Sequence, residues 1–226
     1  MNVVRKAGTA VSLLKFWLKA APNGHFESPE TLLDLTFRYR GVAPIQRRSE
    51  LLELARIVEN LRPKTVLEIG TCNGGTLLIF CRLADQKANV YSIDLPGGRF
   101  GGGYEFFRVP ILLRMKKAGQ RLHLLRANSH EKETRLVLDR KLDGAKLDLL
   151  FIDGDHTYKG VRSDFEMYSP FVRPGGIIAF HDIVAGQEQL VGEVRRFWTE
   201  VKTCYRHREI IEDPNQAWGG IGVLFA

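Results

Sequence analysis

The chain has 226 residues, 44% of them hydrophobic and 26% charged. That is enough for one globular domain with a sizeable core, and too apolar for a disordered chain. Three cysteines, Cys72, Cys81 and Cys204, form no CxxC pair, which argues against a disulfide framework or a cysteine zinc site and fits a reducing, cytoplasmic compartment. A formal charge of +7 suits a polyanionic partner, an acidic membrane surface or a basic proteome, and does not choose among them.

The first stretch, MNVVRKAGTAVSLLKFWLKA, has a basic start and an apolar middle, but Lys15 and Lys19 interrupt the apolar run. This argues against a secretion signal, and the run falls short of the roughly 20 apolar residues that span a bilayer. The spacing predicts an amphipathic helix with Val11, Leu14, Trp17 and Leu18 on one side. We expect residues 1–45 to form an N-terminal helical extension that caps the domain or makes a homodimer contact. A membrane-surface helix anchored by Trp17 is the lesser alternative.

From Ser49, Leu51, Leu54, Ala55, Val58 and Leu61 mark one helical face, with Ser49 placed to cap it and Pro63 to stop it. TVLEI then reads as a strand, followed by a glycine turn and the apolar helix TLLIFCRLA. NVYSID, RLHLLRA, LDLLFID and GGIIAFHD read as further strands. Tyr158, Val161, Phe165, Tyr168 and Val172 mark a helix between the last two, with RPGG as a stop before the final one. A helix bearing Leu190, Val194, Phe197 and Val201 leads to CYRHREIIE and GGIGVLF, two strands joined by a short turn, one of them antiparallel. The alternation predicts an α/β, Rossmann-like, doubly wound, mostly parallel seven-stranded sheet, within a domain covering residues 46–226. The glycine-rich, aromatic segment from Leu95 to Arg108 stands apart; its Arg99, Tyr104, Phe106, Phe107 and Arg108 are candidates to close over an acceptor.

In such a sheet a ligand lies beyond the carboxyl ends of the strands, at the turn after Ile69. A P-loop needs lysine where this chain has Thr76, so that reading fails. A dinucleotide fingerprint needs a glycine where this chain has Cys72, which argues against NAD. What remains is a ligand with an adenosine but no phosphate. Asp94, 24 residues beyond Gly70, suits the two ribose hydroxyls. Glu68, inside the first strand, needs donors or a cation to offset its burial: a ligand ammonium or the amides of the turn.

VLEIGTCNGG followed by VYSID resembles motifs I and II of class I S-adenosylmethionine-dependent methyltransferases. The later FIDGDHTYKGVRSDFEMYSPFVRPGGIIAFHDI resembles the branch that contains macrocin O-methyltransferase-like and cephalosporin-hydroxylase-like proteins, of the family 24 type. The likeness runs from about Gln46 to the end. It implies S-adenosylmethionine as cofactor, with Glu68, Gly70, Thr71, Asn73, Gly74 and Gly75 at its methionine part. It also places Asp94 on the ribose and Asn128 and Ser129 beside the adenine, with Asp153 closing the cofactor site. The bland alternative is a tight strand-to-helix turn at Gly70, Gly74 and Gly75, and an ordinary turn aspartate at Asp94.

DGDH ends one strand and HD the next, and neighbouring strands lie about 5 Å apart. Asp153 and Asp182, joined by His181, are therefore candidate ligands for one divalent cation. The resemblance implies magnesium in some members, but several metal-dependent relatives carry an acid where this chain has His181. An imidazole there weakens a preference for Mg2+ and favours Mn2+ or another transition ion. A metal-bound hydroxyl needs only a weak base, and Asp155, His156 and His181 are the candidates, with His156 preferred for its intrinsic pKa. The bland alternative makes DGDH an ordinary turn and Asp182 a helix cap. The remaining histidines, His25, His123, His130 and His207, show no ligand spacing and are expected on the surface or in loops.

The leading expectation is O-methylation of a small hydroxylated acceptor, a sugar or a natural product. A nucleic-acid methyltransferase ranks below it, because pairs such as Arg47–Arg48 and Arg195–Arg196 are scattered and no recognition module accompanies them. A non-catalytic binding module with the same fold is the third reading, opposed by the joint presence of Glu68, Asp94, Asp153 and Asp182. The spacing shows no two-histidine, one-carboxylate triad, which argues against iron-dependent oxidation.

Overall fold

The computed structural model describes residues 12, 13, 15, 16, 18, 28–97, 104–184 and 193–226. Helix α1 (Pro29–Arg38) opens on a capping box in which Ser28 and Thr31 exchange side-chain to backbone hydrogen bonds, with Pro29 preset for the first turn. Helix α2 (Arg48–Leu61) leads into β1 (Thr65–Ile69), α3 (Gly75–Leu83) and β2 (Asn89–Asp94). The chain continues through α4 (Val109–Leu113), β3 (Arg121–Arg126), α5 (Lys132–Leu142), β4 (Leu147–Ile152), α6 (Tyr158–Tyr168) and β5 (Val172–His181). It ends with α7 (Glu193–Val201), β6 (Arg206–Ile210) and β7 (Ile221–Phe225).

The strands form a seven-stranded sheet in the order β3-β2-β1-β4-β5-β7-β6. Strands β1 to β5 are parallel, and β7 runs antiparallel to both neighbours. The direction of winding reverses between β1 and β4, which opens a crevice at their carboxyl ends. Every residue of β1 and β4 is buried, as expected where helices cover both faces. Alternate residues serve alternate faces: Val66, Leu149 and Phe151 pack with α2 and α3, while Leu67, Leu150 and Ile152 pack with α5, α6 and α7. On the first face the Phe80 and Phe151 rings meet edge to face at 5.3 Å, worth about 1 kcal/mol beyond their burial.

The segment before residue 46 shares this core. Leu13, Phe16, Leu32, Leu33 and Tyr39 are buried in one cluster with Leu51 and Leu77. Among the described residues of the first stretch Leu13 and Phe16 are buried, while Leu18, expected on the apolar side, is 66% exposed. Val11, Leu14, Trp17 and Lys19 of that expectation, with His25, Arg99 and Leu190, lie outside the described residues.

Three local expectations need correction. Ser49 does not cap α2; it sits inside the first turn, and its hydroxyl donates to Glu212 Oε1 at 2.7 Å. Val172 does not belong to α6, nor does RPGG precede the next strand: β5 begins at Val172 and carries an irregularity in its pairing between Leu147 and Leu149 of β4. Gly175 and Gly176 are retained in the strand by hydrogen bonds with Ala226. The β6–β7 connection spans residues 211–220 rather than a short turn, and its packing matters to the site. Among the described residues no helix is long and apolar enough to cross a membrane.

Candidate functional site

A cleft of about 560 Å³ opens at the carboxyl ends of β1, β2, β4 and β5. Its volume lies within the roughly 300–1,000 Å³ typical of small-molecule sites. The turn after β1 forms its floor. Gly70 has φ +89°, and a Cβ there would lie 1.9 Å from the Asp153 carbonyl oxygen, so the two strand ends approach as only glycine permits. Asp94 Oδ2 accepts from the Thr71 and Cys72 amides at 2.9 and 2.7 Å. A carboxylate at the end of β2 thereby fixes the turn after β1.

Glu68 meets the need for donors from within the protein. Thr71 Oγ1 donates to Glu68 Oε2 at 2.7 Å, and Thr76 Oγ1 donates to its other oxygen. Burial raises the Glu68 pKa to about 8 despite these two bonds. Glu68 does not line the cleft, and neither does Gly74, whose missing Cβ faces Leu112 and Met115. These two residues of the expected methionine site support the turn from beneath.

The other expected residues converge. Gly70, Thr71, Asn73, Gly75 and Asp94 line one side of the cleft, and Asn128 and Ser129 line another. The 128–130 turn is held by the Tyr168 hydroxyl, which donates to the Ser129 carbonyl at 2.7 Å. Beside them lies His130, in a loop as expected; it lines the cleft with Nε2 3.4 Å from Asp164, whose carboxylate is fully buried. Nothing in the spacing of His130 signals this, because Asp164 comes from the middle of α6. The wall opposite is made by Ala43, Pro44, Ile45 and Gln46, residues that precede or begin the expected domain.

At the ends of β4 and β5, Asp153, His156, His181 and Asp182 form one cluster. His181 Nδ1 lies 3.1 Å from Asp153 Oδ1 and 3.2 Å from Asp182 Oδ2, and His156 Nδ1 lies 2.9 Å from Asp182 Oδ2. Burial works against protonation of His181, yet Asp153 and Asp182 outweigh it and raise its pKa to about 10. Burial likewise opposes protonation of His156, and the same two carboxylates raise its pKa above the usual imidazole value. Asp182 answers in the opposite sense: burial would raise it, but hydrogen bonds to both histidines hold it well below the usual carboxylate range. The two carboxylates thus favour the protonated form of His181, in which both ring nitrogens donate. Gln46 Nε2 donates to Asp153 Oδ2, a partner with no signature in the sequence.

Asp155 stands differently. Its Oδ1 accepts from the Thr157 amide at 2.9 Å and its carboxyl packs where a Gly160 Cβ would be, so it shapes the entry to α6 while lining the cleft. Phe106 and Phe107 are exposed and Tyr104 is fully buried; with Arg108 they stand outside the cleft lining. Arg47 and Arg48 are spent in ion pairs with Glu212 and Asp34.

The donor set of Asp153, His181 and Asp182 has ligand atoms within 4.8 Å of one another and fits a divalent ion. Two polar atoms of the lining, Gln46 Oε1 and His181 Nε2, are buried without a hydrogen-bond partner, which fits a site completed by a polar ligand.

The family Methyltransf_24, described as a methyltransferase domain, matches residues 67–183. The uncharacterized protein y4gI of Sinorhizobium fredii is 30% identical over 176 residues, covering 75% of this chain and 18% of that one. The uncharacterized protein R132 of Acanthamoeba polyphaga mimivirus is 32% identical over 118 residues, covering 52% and 51%. The chain thus spans about half or less of the curated relatives it matches. The O-methyltransferase TomG of Streptomyces achromogenes, involved in tomaymycin synthesis and solved with S-adenosylmethionine, superposes with a TM-score of 0.58 at 18% identity, covering 100% of this chain and 99% of that one. At that identity the likeness is one of fold.

Proposed function

The chain belongs to the methyltransferase domain family matched over residues 67–183, and from that premise we propose that it transfers a methyl group from S-adenosylmethionine to a hydroxyl oxygen of a small acceptor, a sugar or a natural product. The observation that carries this reading is the placement of the Asp153–His156–His181–Asp182 cluster in the same cleft as the glycine turn fixed by Asp94. TomG, the fold neighbour solved with S-adenosylmethionine, supports the same cofactor and reaction.

When bound, S-adenosylmethionine would supply an electrophilic sulfonium methyl, with S-adenosylhomocysteine as the leaving group. The protein's part is positional and electrostatic. Asp94 would accept from the ribose hydroxyls, Asn73 and the Gly70–Gly75 turn would hold the methionine part, and Asn128 and Ser129 would border the adenine. His181 Nε2, buried and unpartnered, points to a hydrogen bond with the acceptor oxygen. His156, in its neutral form and oriented by Asp182, takes the acceptor proton, and the negative Asp182 stabilises the imidazolium that forms. Asp153, His181 once deprotonated, and Asp182 would hold a divalent ion, Mg2+ or Mn2+, whose contribution would be to acidify and fix the acceptor hydroxyl.

Calorimetric titration with S-adenosylmethionine, repeated with NAD, with Mg2+ or Mn2+, and with the Asp94→Ala variant, tests the reading. Saturable binding weakened by Asp94→Ala, without a comparable NAD signal, is expected. Transfer of labelled methyl to a panel of hydroxylated sugars and phenols then identifies the acceptor class. No binding under any metal condition overturns the proposal.

A further inference from the structure

Asp182 has φ +62°, a left-handed conformation that costs a non-glycine residue about 1 kcal/mol and persists only where surrounding contacts impose it. Those contacts come from the β6–β7 connection. The Gly219 amide donates to Asp182 Oδ1 at 3.1 Å, while the Gly219 and Gly220 carbonyls accept from the Val184 and Ile183 amides at 3.1 and 3.4 Å. Both glycines have positive φ, +86° and +81°, so this segment turns its amides and carbonyls in directions that a regular strand cannot. The two oxygens of Asp182 therefore divide their roles. Oδ1 is held by the connection, and Oδ2 faces His156 and His181.

The connection is in turn held by one buried carboxylate from the far side of the cleft wall. Glu50, in the first turn of α2, is 1% exposed. Its Oε1 accepts from Gln216 Nε2 at 2.6 Å and from the Glu212 amide at 3.3 Å, and its Oε2 accepts from the Gly220 amide at 2.8 Å. Gln216 also bridges back to the segment, donating to the Trp218 carbonyl at 2.8 Å and accepting from the Asp213 amide at 2.9 Å. A glutamate that served only the dipole of its own helix would stay in water at the helix end. This one is withdrawn from solvent and spends its oxygens on residues 212, 216 and 220 of another element.

We propose that Glu50 is a positioning residue for the methyl transfer: through Gln216 and Gly220 it fixes Gly219, and through Gly219 it sets the direction of the Asp182 carboxylate toward His156 and His181. The inference rests on the assignment of Asp182 to the reactive cluster made above. Glu50 touches neither cofactor nor acceptor, and acts by keeping Asp182 Oδ2 in line with the two imidazoles.

The test uses the full chain with Glu50→Gln, Gln216→Ala, the exchanged pair Glu50→Gln/Gln216→Glu, and Glu53→Gln on the exposed side of the same helix as control. In Glu50→Gln an amide NH2 must face either Gln216 or the Gly220 amide, both of them donors. The exchanged pair restores a donor opposite an acceptor between positions 50 and 216, but sets an NH2 against the Glu212 amide and a carboxylate against the Trp218 carbonyl. Three readouts are taken on each folded variant: S-adenosylmethionine affinity, the side-chain nitrogen resonances of His156 and His181, and turnover at saturating acceptor.

We expect Glu50→Gln and Gln216→Ala to move both imidazole resonances and to lower turnover by roughly 10- to 100-fold, the cost of misplacing a supporting group. S-Adenosylmethionine affinity stays within about twofold, a change below 0.5 kcal/mol. The exchanged pair recovers at most part of both signals, and Glu53→Gln matches the native chain. A folded Glu50→Gln or Gln216→Ala chain with native imidazole resonances overturns the inference. Should Glu50→Gln not fold, Gln216→Ala decides, because it leaves the buried carboxylate two of its three donors. Failure of the native chain to bind S-adenosylmethionine would sink the function proposed above, while the imidazole resonances would still decide whether Glu50 positions Asp182.

Discussion

The Asp94 carboxylate accepts from the Cys72 amide at 2.7 Å, and this bond ties the end of β2 to the glycine turn after β1. Asp94 therefore has a structural duty beside the ligand contact proposed for it. Asp94→Ala is expected to destabilise the protein by about 2–3 kcal/mol, the cost of losing hydrogen bonds to a charged acceptor, and to weaken S-adenosylmethionine binding. Asp94→Asn keeps an oxygen for the two amides and should recover part of the stability. Urea unfolding and calorimetry on both variants separate the two duties; equal affinity in Asp94→Ala and the native chain would remove Asp94 from the cofactor site.

Glu68 gives a pH dependence with a definite sign. Its pKa in the folded protein is about 8, above the ordinary value of 4.5, so the folded state binds the proton more tightly than the unfolded chain. The associated stability is complete below about 4.5, declines as pH rises, and is lost above about 8, with a slope of at most about 1.4 kcal/mol per pH unit. Glu68→Gln lacks this slope. Unfolding measured from pH 5 to 9 should show the variant gaining on the native chain as pH rises. A constant difference would mean that Glu68 is ionised throughout. Because Glu68 faces Thr71 and Thr76 rather than the cleft, the same variant should keep its S-adenosylmethionine affinity within about twofold.

At Gly70 the backbone has no room for a side chain. Gly70→Ala drives a Cβ against the Asp153 carbonyl oxygen at φ +89° and should cost about 4 kcal/mol or more, with loss of the folded cleft. Gly97→Ala is the comparison, since φ is +76° but nothing lies within 4 Å of the added carbon. It should cost only the left-handed penalty of about 1 kcal/mol. Thermal unfolding of the pair distinguishes close approach from conformational preference.

His156 and Asp155 are neighbours with different surroundings, and substitution should separate them. His156→Ala is expected to lower methyl transfer by roughly 10²- to 10⁴-fold, as for loss of a general base, with cofactor affinity unchanged. Asp155→Asn preserves the acceptor for the Thr157 amide and should retain turnover. A large loss in Asp155→Asn beside a small one in His156→Ala would reverse the assignment.

Much of the architecture was legible in the chain. Short β-rich runs ending in Gly70, Asp94, Asp153 and Asp182, separated by helical spacings, are enough to predict a parallel sheet with a ligand edge, because hydrophobic periodicity and turn residues act over a few neighbours. The glycine turn and the juxtaposition of Asp153 with Asp182 follow from the same logic, since adjacent parallel strands bring their ends together. Helix α2 was legible too, but the fate of Ser49 was not: a hydroxyl placed to cap its own helix found Glu212 instead, some 160 residues away in the chain.

What only the tertiary structure decided is which partner each polar group takes. Glu68 reads equally well as a ligand contact or a buried support, and the choice fell to two threonine hydroxyls within the turn. His156 and His181 have ordinary intrinsic pKa values, and their elevation arises from carboxylates converging from two strands in a site withdrawn from water. His130, Gln46 and Glu50 carry no local signature, for each is defined by a contact with an element distant in the chain: Asp164, Asp153, and the connection before β7. Periodicity and turn propensity are local properties that the sequence encodes directly. Desolvation and hydrogen-bond pairing depend on distances that exist only once the sheet has assembled.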